Sequence, residues 1–423
     1  MAKEQTEGVF VFELVDQSPA GSVLYDEHLK LTDKSHIAEF AGYLMPLWYS
    51  SISIEHTVVR QRAGIFDCTH MGALEVRGTN AEGFLNAVTT NDVSTLKIGA
   101  AQYSYVLDAA GNVLDDIIVY RRGTERFMVV VNAANEPKIR AYLAAVQAGK
   151  AVIDLSNPDR RIEPASVRNM RDTRGGQDCR VDIALQGPAS MEVIAKLADD
   201  KSVERQAKEL KSFTFFEGGL AGIGCIISRT GYTGAKVGFE LFVHPEKAVE
   251  LWCRLIEAGA LPCGLGARDS LRIEGGLPLY GHELAGLYNI SPFEAGYGWA
   301  VKLDKEFFIG KPAIEKIAKN FDMKVARVEL PGTKGVRPVR QADAVISDGM
   351  CIGWVLSSAK ADEKQVSLVY MDKDKAIEGN PVGVYYLARS ESQKSKGRKQ
   401  AAEKSEQLEA DITGKVVSRF EKF

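Results

Sequence analysis

Apolar residues alternate with polar ones, or run together briefly, over residues 103–107, 113–120 and 126–132. Between these runs lies turn chemistry: Asp108-Ala109-Ala110-Gly111-Asn112, then Gly123-Thr124-Glu125. The pattern predicts a three-stranded meander, with Gly111 able to take the left-handed backbone of a tight hairpin. Asp115 and Asp116 are neighbours on its middle strand, among Val113, Leu114, Ile117, Ile118 and Val119. Successive strand side chains face opposite sides, so one aspartate is expected toward the core and the other in water or a surface pair. A carboxylate on the apolar side costs free energy unless a partner or ligand stabilises it. A hairpin-capping surface aspartate is the plain alternative.

The same reading extends along the chain. Residues 52–63 have helical spacing, stopped by Gly64, and 65–78 alternate as one strand. A short helix follows at 81–88. Asn135 with Pro137 opens a helix to Gln147, and Gly149 ends it. Residues 151–155 read as a strand, and 157–177 as an arginine-rich surface loop. Strands at 181–188, 221–229 and 239–243 alternate with helices at 189–197 and 245–258. Arg268 and Arg272, four apart, would share a helix face and call for an acidic partner or ligand. A further helix ends near Asn320. Beyond Met323, short strands separated by Gly, Pro and charged turns suggest a small all-β barrel or sandwich. Residues 390–409 interrupt it with a polar stretch whose one large apolar residue is Leu408, expected as a mobile insert or exposed helix.

With 423 residues, 45% hydrophobic and 26% charged, the chain has room for two or three domains and a large core. No apolar run approaches the roughly 18–20 residues of a membrane helix. The first twenty residues show no basic leader before an apolar core, so a cytoplasmic protein without a membrane partner is expected. The net charge of −3 offers nothing to draw nucleic acid. The six cysteines form no C-x-x-C pair, and Cys68 with His70 alone is a poor metal site, so no metal is expected. Neither common phosphate-binding glycine motif occurs.

Six stretches, in order, change the picture: MPLWYSS near the start, FDCTHMG at 66–72, GNVLDDIIVY at 111–120, ALQGP at 184–188, RTGYTG followed by GFE at 238–240, and GLGARDSLRIEGGLPLYGHEL at 264–284. Together they resemble the T-proteins, the aminomethyltransferases of the glycine cleavage system, within the tetrahydrofolate-binding T-protein superfamily. The similarity runs from about Tyr25 to the end. It implies an α+β fold: a folate-binding region of sheets and helices around a central channel, then a C-terminal β-barrel. The implied division is an N-terminal extension over 1–24, a folate-binding region over 25–320 with an insertion at 157–177, and a barrel over 321–423 with an insertion at 390–409. The implied catalytic carboxylate is Asp115. Asn132 and Glu240 would hydrogen-bond the pterin, Tyr103, Tyr232, Met71 and Tyr280 would line the folate pocket, and Arg268 would help hold the site. A carboxylate can accept from the adjacent N–H and amino groups of a pterin, and aromatic residues offer apolar walls with polar tips.

The implied reaction moves the aminomethyl group from the lipoyl arm of H-protein to tetrahydrofolate, releasing ammonia and forming 5,10-methylenetetrahydrofolate. The chain departs from the family pattern at Ala235-Lys236-Val237, one residue longer than usual, and over 357–365. An alternative is a folate-dependent demethylase acting on a small S-, O- or N-methyl compound, which would keep the pterin pocket but need no lipoyl carrier. A non-catalytic folate-binding relative is disfavoured because its Lys-Gly-Cys-aromatic-x-Gly-Gln-Glu signature is missing.

Overall fold

The computed structural model describes residues 10, 12, 18–361, 363–395 and 397–420, so most of the expected N-terminal extension lies outside the described residues. The chain divides into two compact units: residues 1–231, 235–267 and 299–316, and residues 232–234, 268–298 and 317–423.

The first unit holds a five-stranded and a six-stranded sheet, with a small three-stranded sheet near its start. The meander forms as its turns dictate, from Ala101–Leu107, Val113–Gly123 and Arg126–Val131. Gly111 sits at φ +82°, and the Asp108 carboxylate accepts from the backbone N–H (2.9 Å) and side-chain amide (2.8 Å) of Asn112, closing the hairpin. One face of this sheet packs Ile117, Val119 and Val129 against Ile139, Tyr142 and Leu143 of the Glu136–Gln147 helix. The opposite face carries Tyr120, Met128 and Val130, which meet Ile226 and Phe242 of the six-stranded sheet.

Residues 65–78 are not one strand. They form Gly64–Asp67 and Gly72–Arg77, which belong to different sheets. The break is chemical: the Asp67 carboxylate accepts the Thr69 N–H at 2.8 Å, and Met71 N–H bonds Cys68 O at 2.9 Å. Residues 151–155 are likewise not a strand; Asp154 accepts from both Ser156 N–H (2.9 Å) and Ser156 O–H (2.6 Å), turning the chain instead. The arginine-rich loop contributes an edge strand, Ser166–Asn169, paired to Gly72–Arg77, with Arg168 reaching the buried Glu75 at 3.2 Å.

In the second unit six strands between Met323 and Val417 close into a barrel. The polar stretch within it is neither free nor mainly helical. After a short helix, Glu391–Ser395, it returns along the barrel, where Ala402 and Leu408 pack with Ile346, Cys351 and Leu387.

Candidate active site

The two aspartates of the Val113–Gly123 strand face opposite sides, as strand geometry requires. Asp115 shares its side with Ile117 and Val119 and is 0% exposed, while half-buried Asp116 shares the opposite side with Ile118 and the fully buried Tyr120. Neither is left to water. Asn132 follows the last residue of the neighbouring Arg126–Val131 strand, so its amide group comes between the carboxylates. Its backbone N–H donates to Asp115 Oδ2 at 3.0 Å, and Nδ2 donates to Asp115 Oδ1 at 2.9 Å and Asp116 Oδ1 at 2.7 Å. Asn135 Nδ2 adds a 2.6 Å bond to Asp115 Oδ1, and Tyr103 O–H bonds Asp116 Oδ2 at 2.9 Å. Burial raises both carboxyls above the ordinary carboxylate value, and the charge of Asp116 pushes Asp115 further; the donors around them pull the other way. The pair therefore holds a proton more tightly than an isolated carboxyl and titrates as a unit.

Tyr103 is half-buried and lies 5.9 Å, centroid to centroid, from Trp299, which is 54% exposed. Four residues along from Asp116, on the same side and roughly 13 Å away by strand rise, Tyr120 extends toward the facing sheet. There its hydroxyl lies 3.4 Å from Glu240 Oε2, to which Thr230 also donates. Burial, with the Glu240 charge, keeps the Tyr120 hydroxyl well above its usual titration range, so it stays a donor. Glu240 is held in register on Gly238–Val243 opposite Ala184 and Ser228. The lengthened Ala235-Lys236-Val237 loop does not disturb this, since Val237 O accepts Gly187 N–H at 2.9 Å and Lys236 O accepts from Arg229 at 2.9 Å. Met71 packs on the apolar cluster that contains Tyr120 and Phe242.

The remaining expected residues belong to the second unit. Arg268 lies over the Tyr232 ring at 5.1 Å, and the Tyr232 hydroxyl donates to Pro278 O. Tyr280 is half-buried beside a bridge to Leu284. Arg272, on the same helix as Arg268, has the acidic partners its spacing calls for: Asp269 at 2.8 Å and the fully buried Glu283 at 2.6 Å.

Thus Asp115, Asn132 and Tyr103 meet around Asp116, Glu240 and Met71 border the Tyr120 cluster, and Tyr232 joins Arg268. Tyr120, Thr230 and Trp299 escaped sequence reasoning, and Asp116 was singled out there only as the strand neighbour of Asp115. Asp116 and Tyr120 share one strand face by period-two spacing, and that signal alone could have flagged them; Trp299, some 180 residues on, carries no local signal. Among the described residues, no group of three or more His, Cys, Asp or Glu is placed to hold a metal ion, and no helix is long and apolar enough to cross a membrane.

Residues 24–305 match the family model described as the GCVT N-terminal domain. An aminomethyltransferase of Exiguobacterium sibiricum is 39% identical over 320 residues, 75% of this chain and 80% of that relative. One from Thermus thermophilus is 39% identical over 352 residues, covering 83% and 90%. Among solved structures, the glycine cleavage system aminomethyltransferase T from Bartonella henselae superposes with a TM-score of 0.72 at 29% identity, covering 95% of this chain and 97% of that one.

Proposed function

Because the chain belongs to the GCVT N-terminal domain family and is an enzyme, an aminomethyltransferase, we propose that it transfers the aminomethyl carbon from the lipoyl arm of an H-protein to tetrahydrofolate. In the transfer the S–C bond of the carried group breaks and its nitrogen leaves as ammonia. Bound tetrahydrofolate supplies the two nitrogens that take up the carbon, and the dihydrolipoyl sulfur keeps the proton it gains.

The observation that carries the reading is the placement of two carboxylates on strand faces of the first unit's two large sheets: buried Glu240, bonded by Tyr120, and half-buried Asp116, on the strand face of Tyr120 and bonded by Tyr103. The chemistry of the donor set fits a reduced folate. Glu240 offers carboxylate oxygens to the paired N–H groups of a pterin, and Tyr120 and Thr230 keep that carboxylate oriented. Asn132 spends its Nδ2 on the aspartates, so its contribution to a pterin is the acceptor Oδ1. Met71 supplies apolar wall, and Tyr103 with Trp299 an aromatic one. Tyr232, Tyr280 and Arg268, which the resemblance also implies, belong to the second unit.

The resemblance assigns the electrostatic role to Asp115. That carboxylate lies on the strand face of Ile117 and Val119, and Asn132 ties it to Asp116 on the face of Ile118 and Tyr120. In a site with little water the charge of Asp115 would stabilise a carbon that becomes iminium-like and orient the attacking amine.

The test is reconstitution. Purified chain, tetrahydrofolate and aminomethyl-loaded H-protein should release ammonia and form methylenetetrahydrofolate only when all three are present. Folate binding without ammonia release would sink the proposal and turn the search to a methyl donor.

A further inference from the structure

Lys305 is 7% exposed, and its Nζ donates to three backbone carbonyls: Asn86 O at 2.6 Å, Thr89 O at 2.7 Å and Asn91 O at 2.9 Å. These carbonyls lie at and just past the end of the Ala81–Val88 helix, where the last C=O groups have no partner within the helix and a cation is favoured. Three acceptors match the three hydrogens of an ammonium, and a neutral amine would leave one of them short. Burial works against the charge and lowers Lys305 to about 7, Asp92 and Asp304 work for it, and Lys311 adds to the lowering. The carbonyls are what the fold sets against that cost.

The turn that Lys305 grips also reaches Tyr103. Asn91 donates from Nδ2 to Tyr103 O at 2.8 Å and from its backbone N–H to Ser104 Oγ at 2.9 Å. On the other side, Thr90 Oγ1 donates to Ala300 O at 2.9 Å, and Thr90 O accepts Lys302 N–H at 3.0 Å. Ile309 N–H bonds Ala87 O at 3.0 Å. Residues 300–309 are thus laid along residues 86–91 with Lys305 between the two ends, and Trp299, immediately before this segment, comes 5.9 Å from the Tyr103 ring.

We propose that Lys305 is a positioning residue: its ammonium fixes residues 300–309 on the turn at 89–91 and so sets Trp299 against Tyr103. The proposal rests on the folate reading only for its affinity readout, since the placement of Trp299 is measured without ligand.

Lys305→Ala removes the atoms of n-propylammonium, and a cavity of about 340 Å³ bordered by Asn86, Asp92, Glu306 and Lys305 lets a small amine reach the vacated place. Below about pH 7, where the ammonium is present, the variant should lose roughly tenfold in tetrahydrofolate affinity by titration calorimetry while kcat at saturating folate stays within about threefold. Acrylamide should quench Trp299 more strongly than in the parent, its emission being assigned by difference from Trp299→Phe in each background. n-Propylammonium should restore both readings. n-Propyltrimethylammonium, charged but without N–H, and n-butanol, which only fills space, should restore neither. Parent-like affinity and quenching, rescue by n-butanol, or a loss that n-propylammonium leaves in place would overturn the proposal. Val146→Ala supplies a general loss of packing in the same unit. It should lower the melting temperature and leave folate affinity and Trp299 quenching alone; if it moves both, Lys305 acts only through overall stability.

Should Lys305→Ala not fold, Lys305→Gln carries the test. It keeps two N–H donors but gives up the charge and the third, and parent-like quenching and affinity in it would count against the positioning role. Quenching restored by n-propylammonium in a protein that binds no tetrahydrofolate would sink the folate reading and spare the clip; unchanged quenching in a protein that binds folate would do the reverse.

Discussion

Asp116 and Asp115 differ by one position in the chain, and the strand turns them to opposite faces. The proposed electrostatic role predicts that Asp115→Asn keeps tetrahydrofolate affinity within several-fold and lowers kcat by about a hundredfold, the usual scale for losing one preorganised charge or donor at a reacting centre. Single-turnover kinetics with saturating folate would check it, and a kcat within threefold of the parent would remove Asp115 from the chemistry. Glu240→Gln should divide the other way. An amide keeps one acceptor and gains a donor facing pterin N–H groups, so folate affinity should fall by roughly 10- to 100-fold, the range of one or two charge-assisted hydrogen bonds. Titration calorimetry reads this directly. Glu240 could be singled out because its motif is local, GFE on one strand. Choosing between Asp115 and Asp116 was beyond a local reading, because alternation says only that the two differ; which side meets the second sheet is set by residues such as Ile226 and Phe242, more than a hundred positions away in sequence.

At the level of elements, the Tyr25–Leu31 helix is fastened to the Gly64–Asp67 strand by one buried carboxylate. Asp67 Oδ2 accepts from Ser22 O–H at 2.6 Å and lies 2.8 Å from His28 Nε2, while His28 Nδ1 meets the Tyr49 hydroxyl at 2.8 Å. Burial alone would raise Asp67, but the hydrogen bond and charge of His28, with Ser22, outweigh it and hold the carboxyl at about 2 against an ordinary 3.8. A folded value below the unfolded one means the stabilisation is complete above about pH 4 and is lost as pH falls through about 2. Its size is about 2 kcal/mol. Denaturant melts between pH 2 and 6 should show that loss in the parent and not in Asp67→Asn; matching slopes would refute the fastening. The hairpin glycine makes an independent case. A Cβ at Gly111 would come within 2.9 Å of Ala313 Cβ and 3.2 Å of Ile314 N, at φ +82°. Gly111→Ala should therefore cost about 1–3 kcal/mol in unfolding free energy, from backbone strain and close contact together.

The same elements show what periodicity can and cannot carry. The meander and the Glu136–Gln147 and Pro245–Glu257 helices follow from local apolar spacing and end residues, with Pro137 in the first turn of one and His244 capping the other; Asn135, the expected cap, makes no cap hydrogen bond and gives its amide to Asp115 instead. The split after Asp67 was hidden because residues on both sides alternate alike, and only a side chain bonding back to Thr69 stops the strand. The Ser166–Asn169 strand was hidden for the opposite reason. Its arginines look like solvated loop until Glu75, on a distant strand, is seen to receive one of them.

On the scale of the whole molecule, the expected site residues are distributed over both compact units, with Met71, Tyr103, Asp115, Asn132 and Glu240 in the first and Tyr232, Arg268 and Tyr280 in the second. No window of sequence contains that distribution; the resemblance reaches it only because six motifs recur in order. What resemblance leaves untouched is the stretch that the family pattern lacks. The polar return of the barrel was expected to be mobile, yet it is tied down at close intervals. Cys351 N–H bonds Glu406 O and Ser405 N–H bonds Cys351 O, both at 2.8 Å, Leu408 N–H bonds Gly349 O at 2.9 Å, and Trp354 Nε1 donates to Ala402 O at 3.0 Å. Composition concealed this because backbone groups and only two apolar side chains do the docking. Trp354 in turn stacks on Tyr288 at 5.1 Å, so the return braces an aromatic pair within the same unit. Replacing residues 399–408 by a short Gly-Ser linker should expose the Ile346, Cys351 and Leu387 patch and strip the indole N–H of its acceptor. Losing the burial of Leu408 and that hydrogen bond together predicts about 3–5 kcal/mol less stability for the barrel unit. Calorimetry should register a lowered transition, and tryptophan emission should shift to the red as Trp354 meets water. If the transition and the emission stay where they are, the return is an ornament on the barrel and carries none of its stability.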